Sequence, residues 1–151
     1  VVEVRELRAG DCEALDARLR AADRAEIVAM SGPDTLETIR RSAERSALLA
    51  VALVDGELAC IFGAVPRCLL SGSGAPWMLG TDVLDRNSRS LMRLAPGYIS
   101  VLQNEFSHLE NFVDARNARS IRWLRRLGFS IREPRRMGLS DVTFYRFEMG
   151  A

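Results

Sequence analysis

The chain has 151 residues, 48% apolar and 27% charged, with a formal net charge of +1. That length is expected to form a single unit over 1–151 and can bury a core without metal or disulfide support, while near-neutrality excludes bulk attraction to nucleic acid or membranes. Cys12, Cys60 and Cys68 lack metal-ligand spacing, and the one histidine, His108, argues against a histidine-rich metal centre or a histidine-paired triad.

In chain order, Val2 and Val4 open as a short strand, with Leu7 as its candidate extension. Asp11 is a plausible N-cap for a helix with Leu15, Leu19 and Ala22 on one face. A second helical stretch holds Ile27, Val28 and Met30. Ser31-Gly32-Pro33 breaks it, and Pro33 suits the first position of a new helix. Leu36, Ile39 and Ala43 are that helix's buried stripe. Leu48 to Val54 is a continuous apolar run, followed by Asp55-Gly56, a strong hairpin turn. Leu58 to Val65 is the return strand. Pro66 to Pro76 is a Gly/Ser-rich loop, and Trp77 to Val83 reads as another strand. From Ser88 to Phe106 the apolar residues keep helical phase across Pro96, which predicts a kinked continuous helix.

Leu109 to Asp114 has strand character. Asn117 to Phe129 then carries a complete helix. Asn117 can cap its start, and Ala118, Ile121, Leu124 (or Trp123) and Leu127 make its stripe. Arg125 and Arg126 suit its C-terminus, and Gly128 suits the left-handed stop. Phe129 and Ile131 begin a new strand, and Val142 to Met149 is the last. The order is β-α-α-β-β-β-α-β-α-β-β, an α/β fold with a mixed sheet. No signal peptide or membrane-spanning run is expected.

This order, ending in Asn-x-x-Ser-Ile-x-Trp-Leu-x-x-Leu-Gly-Phe, resembles the GNAT superfamily of acyl-CoA-dependent N-acetyltransferases. The resemblance covers nearly the whole chain. It implies an acyl-CoA N-acyltransferase fold, with a mixed central sheet flanked by helices and a splayed gap between the fourth and fifth strands. Acetyl-CoA is the implied cofactor. Backbone at Leu79, Gly80 and Thr81 would meet its pantetheine arm. A loop over about Leu84 to Ser90, with Arg86 and Arg89, would meet its pyrophosphate. Asn117 matches the family asparagine that contacts the cofactor arm; an N-cap alone is the other reading. The loop departs from the family pattern, because no glycine occurs between Gly80 and Gly97 and Asp82 and Asp85 oppose phosphate. Leu124 stands where many members carry a tyrosine that protonates the departing thiolate.

A narrower likeness lies in residues 22–27, 62–66, 76–82 and 111–124. These look like GNAT-related proteins of tailed phages and prophages, including internal virion proteins of podophages. That implies a bacterial cytoplasmic or virion setting, and other virion proteins as partners.

Asp114, Glu26, Asp82 and His108 are the acid/base candidates, since a substrate ammonium needs a carboxylate or histidine at the gap, although His108 is expected in the turn before the fifth strand with no special role. Asp114, ending the strand before Asn117, is best placed; pairing with Arg116 is its alternative. Glu26 would line the acceptor side or simply face solvent. All basic residues are arginine, eight of them between Arg116 and Arg136. That cluster is a solvated face, a CoA-phosphate attractor or a contact for an acidic partner. No aromatic interleaving supports nucleic acid. Monomer and homodimer both stay open. Two functions follow: acetyl transfer to a small-molecule or protein amine, or a GNAT-like fold kept as a virion or interaction protein with a degenerate cofactor site.

Overall fold

Seven strands form one sheet in the computed structural model, which describes residues 1–150. Ala151, the end of the expected unit, lies outside the described residues. The strands are β1 (Val2–Arg5), β2 (Leu48–Val54), β3 (Glu57–Cys68), β4 (Ser73–Gly80), β5 (His108–Asp114), β6 (Ser130–Met137) and β7 (Val142–Gly150), in the order β1-β2-β3-β4-β5-β7-β6. Only the β4–β5 pair is parallel. The helices are α1 (Asp11–Ala17), α2 (Ala21–Ser31), α3 (Thr35–Arg45), α4 (Asp82–Arg86), α5 (Ser88–Glu105) and α6 (Ala118–Leu127).

Helices cover both faces of the sheet, which is why β2 is apolar throughout rather than alternating. Val51, Ile61 and Leu79 point to one face and pack with Leu15, Ile27 and Ile39 of α1, α2 and α3. Ala52 and Cys60 point to the other face, against Leu84 and Leu91. Further along that face, Leu102 and Ile121 pack with Phe129 and Phe147. The β2–β3 turn has positive φ at Asp55 (51°) and Gly56 (82°), the geometry that matches strand twist in a two-residue hairpin. α5 runs through Pro96 without a break. Asn117 Oδ1 accepts from Ser120 N–H at 3.2 Å, and Gly128 stops α6 at φ 102°.

Several boundaries differ from the sequence expectation. Three helices separate β1 from β2, matching the three helical stretches expected there and one more than the α-α of the expected order. α1 ends at Ala17; Leu19, expected on its face, bridges Thr81 instead, and Ala22 lies in α2. Gly10 occupies the N-cap of α1 in the left-handed region, while Asp11 accepts from Arg8 N–H and pairs with Arg5. Asp34, not Pro33, precedes α3, and its carboxylate accepts from Glu37 N–H. The strands reach into the expected 66–76 loop, and β4 starts at Ser73. Glycine supplied no apolar signal there, yet a Cβ at Gly74 would lie 2.6 Å from the Phe106 ring. β4 also stops at Gly80 rather than Val83. Thr81 Oγ1 accepts from Val83 N–H and starts α4, so a helical turn stands where a loop over 84–90 was expected.

Candidate active site

β4 and β5 pair only at Ser73–His108 and Gly74–Leu109, then diverge. Asn111 spans the narrow end of this gap. Its Nδ2 donates to Pro76 O at 2.9 Å, and its Oδ1 accepts from Phe112 N–H at 2.9 Å. Proline is tolerated in this interior strand because its missing N–H would face the gap, not the β3 ladder.

Backbone groups on one edge of a strand recur every second residue. Gly74 pairs with β5 and Pro76 O meets Asn111. Gly80 N–H donates to Asp23 Oδ2 at 2.9 Å, and Gly80 O accepts from Arg20 N–H. Met78 lies between them on the same edge. Its N–H and C=O therefore face the gap, with no partner among the described residues.

Glu26 reaches the wide end of the gap from α2. Its Oε1 accepts from Asp114 N–H at 2.6 Å. The residue is half-buried and lines a cavity of about 340 Å³ that runs from the gap beneath α5 and α6. Burial pushes its pKa up to about 7, helped by the Asp23 and Asp114 carboxylates and opposed by the Asp114 N–H and Arg20. A carboxyl group poised near neutrality beside a cavity is suited to accept a proton from a bound ammonium.

The other acids are engaged. Asp114 is buried, which raises its pKa, but Arg116 outweighs this through side-chain and backbone hydrogen bonds, and the net shift is downward. Asp82 lies on the surface, paired with Arg18 at 2.9 Å and Arg86 at 3.4 Å. Asp85 is held between Arg20 and Arg119.

α5 begins without a side-chain cap, because Asn87 Nδ2 donates back to Val83 O. Arg86 and Arg89 are exposed at this end. An 18-residue helix with an uncapped N-terminus and nearby guanidinium groups is a favourable seat for phosphate.

No family model matches the chain, and no curated protein does. Solved structures do. A ribosomal-protein-alanine N-acetyltransferase from Brucella melitensis superposes with a TM-score of 0.74 at 18% identity, covering 99% of both chains. A GNAT-family acetyltransferase from Streptococcus pneumoniae gives 0.66 at 14% identity, covering 100% of both. An aminoglycoside acetyltransferase in complex with coenzyme A gives 0.68 at 15%, covering 99% of this chain and 95% of the other.

The fold is the GNAT fold.

Within it, the residues expected at the site fall into two groups. Glu26, Asp114 and Asn117 converge at the wide end of the gap and the start of α6. Arg86 and Arg89 lie beyond β4, around the N-terminus of α5, and Asp82 starts α4. Leu79, Gly80 and Thr81 have no backbone group turned freely into the gap. Leu79 pairs with Ile61, Gly80 is bonded to Asp23 and Arg20, and Thr81 N–H donates to Ala59 O. Sequence reasoning missed the Met78 backbone; Pro76, two residues before it, was the available signal for which edge faces the gap. Leu124 lines the cavity and carries no proton donor. Tyr98 and Trp123 also line it, but the Tyr98 hydroxyl and the Trp123 indole N–H are sealed from it and have no partner among the described residues.

Proposed function

We propose that this protein is an N-acetyltransferase that uses acetyl-CoA, with Glu26 as the general base. The observation that carries the reading is the splayed β4–β5 gap with a carboxyl group of pKa about 7 at its wide end. The residues present fit the donor. Free Met78 N–H and C=O groups would pair with the pantetheine arm. The uncapped start of α5, with Arg86 and Arg89, would hold the pyrophosphate. When bound, acetyl-CoA supplies an electrophilic acyl carbon and a thiolate leaving group.

Glu26 takes one proton from the substrate ammonium, directly or through a water. The freed amine attacks, and the second proton that nitrogen loses on becoming an amide goes to the departing sulfur. Leu124 donates nothing in this step. Asp114 keeps its charge, and its N–H holds the Glu26 carboxylate in place. Asn117 caps α6, which forms part of the cavity wall. The acceptor is a small-molecule or protein amine, arriving from the α2 side.

Acetyl transfer is tested by thiol release from acetyl-CoA in the presence of an amine panel. A polyamine, an aminoglycoside and an N-terminal alanine peptide represent the acceptors named for structural neighbours. Turnover with at least one amine, lost in Glu26→Gln, supports the reading; equal rates in both proteins contradict it.

A second reading keeps the fold as a phage or prophage interaction protein, present in the bacterial cytoplasm or the virion, with the cofactor slot unused. Leu124 and the α4 turn, with Asp82 and Asp85 beside the phosphate seat, favour it. Failure to bind CoA or acetyl-CoA would select this reading.

A further inference from the structure

Beneath α5 the sheet presents two rows of side chains. The strand register sets Met78 of β4 beside Phe62 of β3 and Ala50 of β2, and Cys60 of β3 beside Ala52 of β2 and Val4 of β1. Ala50, Ala52 and Cys60 are small. On the opposite face the neighbouring positions are Val51, Ile61 and Leu79, and α1, α2 and α3 pack directly on them. The small floor leaves room under α5, and the cavity of about 340 Å³ follows both rows from the gap as far as Val4.

The character of the lining changes along this course. Glu26, Asn111 and Ser120 are polar, and they belong to α2, β5 and the first turn of α6, around the gap itself. Everything contributed by β1, β2, β3 and α5 is apolar, because the Tyr98 hydroxyl is sealed from the cavity. Burial pushes the Cys60 pKa up to about 12, so its thiol stays neutral and behaves as a small hydrophobe. Protein cores are packed near crystal density, so apolar space of this size, continuous with a substrate gap, suits an apolar guest. The pantetheine arm is not that guest, since its amides need the polar groups that stop at the gap and at Met78. β2 lies two strand spacings from β4, about 10 Å. A chain of about eight carbons crosses that distance, given bonds of about 1.5 Å in zigzag.

We infer that the space beneath α5 receives the acyl chain of a medium-chain acyl-CoA, so that the protein also transfers acyl groups longer than acetyl. This rests on the reading of the gap as an acyl-CoA slot. The thioester carbon stays at the gap while the chain runs over Phe62 and Cys60 toward Ala50 and Ala52. The bonds exchanged are those of acetyl transfer. Nitrogen–carbon forms as carbon–sulfur breaks, one ammonium proton goes to Glu26, and the other leaves with the sulfur.

The test is a chain-length series. Acetyl-CoA, hexanoyl-CoA and octanoyl-CoA are titrated calorimetrically into the wild-type protein, with free CoA as reference. Octanoyl-CoA is expected to bind at least about tenfold tighter than acetyl-CoA, with hexanoyl-CoA between them, because each added methylene leaves water. Affinity that is flat or falls with chain length overturns the inference and leaves the acyl-CoA reading intact. No binding by any of the three overturns both. Ala50→Leu then fills the floor and Ala95→Leu the roof, both at half-buried positions on the cavity wall. The octanoyl-to-acetyl affinity ratio should fall toward one in each, and the melting temperature of each free variant shows that it is folded. A ratio unchanged in a folded variant at both sites overturns the placement of the chain under α5.

Discussion

Glu26 shows what a single side chain gains from its surroundings. On α2 alone it would be an ordinary surface acid. Against the end of β5 it accepts the Asp114 N–H and faces an apolar cavity, and its pKa rises to about 7. Glu26→Gln should lower kcat/KM by roughly two to four orders of magnitude and abolish the acidic limb of the pH–rate profile near neutrality. Folding stability responds with a definite sign. The folded pKa lies above the unfolded one, so the contribution of this group is complete below about pH 4.5 and is lost as pH rises through 7. Chemical denaturation should therefore find Glu26→Gln close to wild type in acid and more stable by roughly 3 kcal/mol above about pH 8. A constant difference across that range would contradict a buried, titrating Glu26. Glu26 was recognisable in the sequence as a candidate, but its rank was not. Its partner lies 88 residues away, whereas Asp114 and Arg116 are neighbours and their pairing could be read directly.

At the scale of elements, the segments with strong local chemistry were the legible ones. The Asp55-Gly56 turn, the Asn117 cap and the Gly128 stop carry their own backbone requirements, and each stands where the sequence put it. Replacing Asn117 with alanine should cost about 1 kcal/mol in denaturant unfolding, since Ser120 N–H loses its acceptor. The start of β4 was hidden because glycine and serine have no hydrophobic period, although their backbones pair as well as any. α4 was hidden for a different reason. The family pattern suggested a loop, while Thr81 followed by an acidic first turn was itself a helix start.

The β6–β7 hairpin offers another test at this scale. Its tip docks on α2, where Ser140 N–H donates to Ala29 O at 3.1 Å. Gly138 has φ +83°, and a Cβ there would lie 2.5 Å from Ala29 O. Gly138→Ala should cost at least about 1–2 kcal/mol from the backbone conformation alone. It should also raise amide exchange at Ser140; unchanged exchange would show that the hairpin does not depend on this close approach.

The whole molecule is organised around one interrupted parallel pair in an otherwise antiparallel sheet. Helices α1, α2 and α3 bring Glu26 from one face. α5 and α6 enclose the cavity on the other, and the gap joins the two. The succession of strands and the GNAT fold were legible from sequence because cap, turn and stripe signals agreed along most of the chain. The free edge of β4 was not, since it depends on where β5 stops pairing. The arginine-rich segment is partly spent on internal pairs, Arg116 with Asp114 and Arg119 with Asp85. In the proposed reading, Arg86 at the end of α4 and Arg89 in the first turn of α5 would meet the cofactor's phosphates. The central claim is that the gap is an acyl-CoA slot. Titration calorimetry of acetyl-CoA into the wild-type protein at neutral pH tests it most directly. Saturable binding in the micromolar range is the expected result, and no heat at millimolar acetyl-CoA would contradict it.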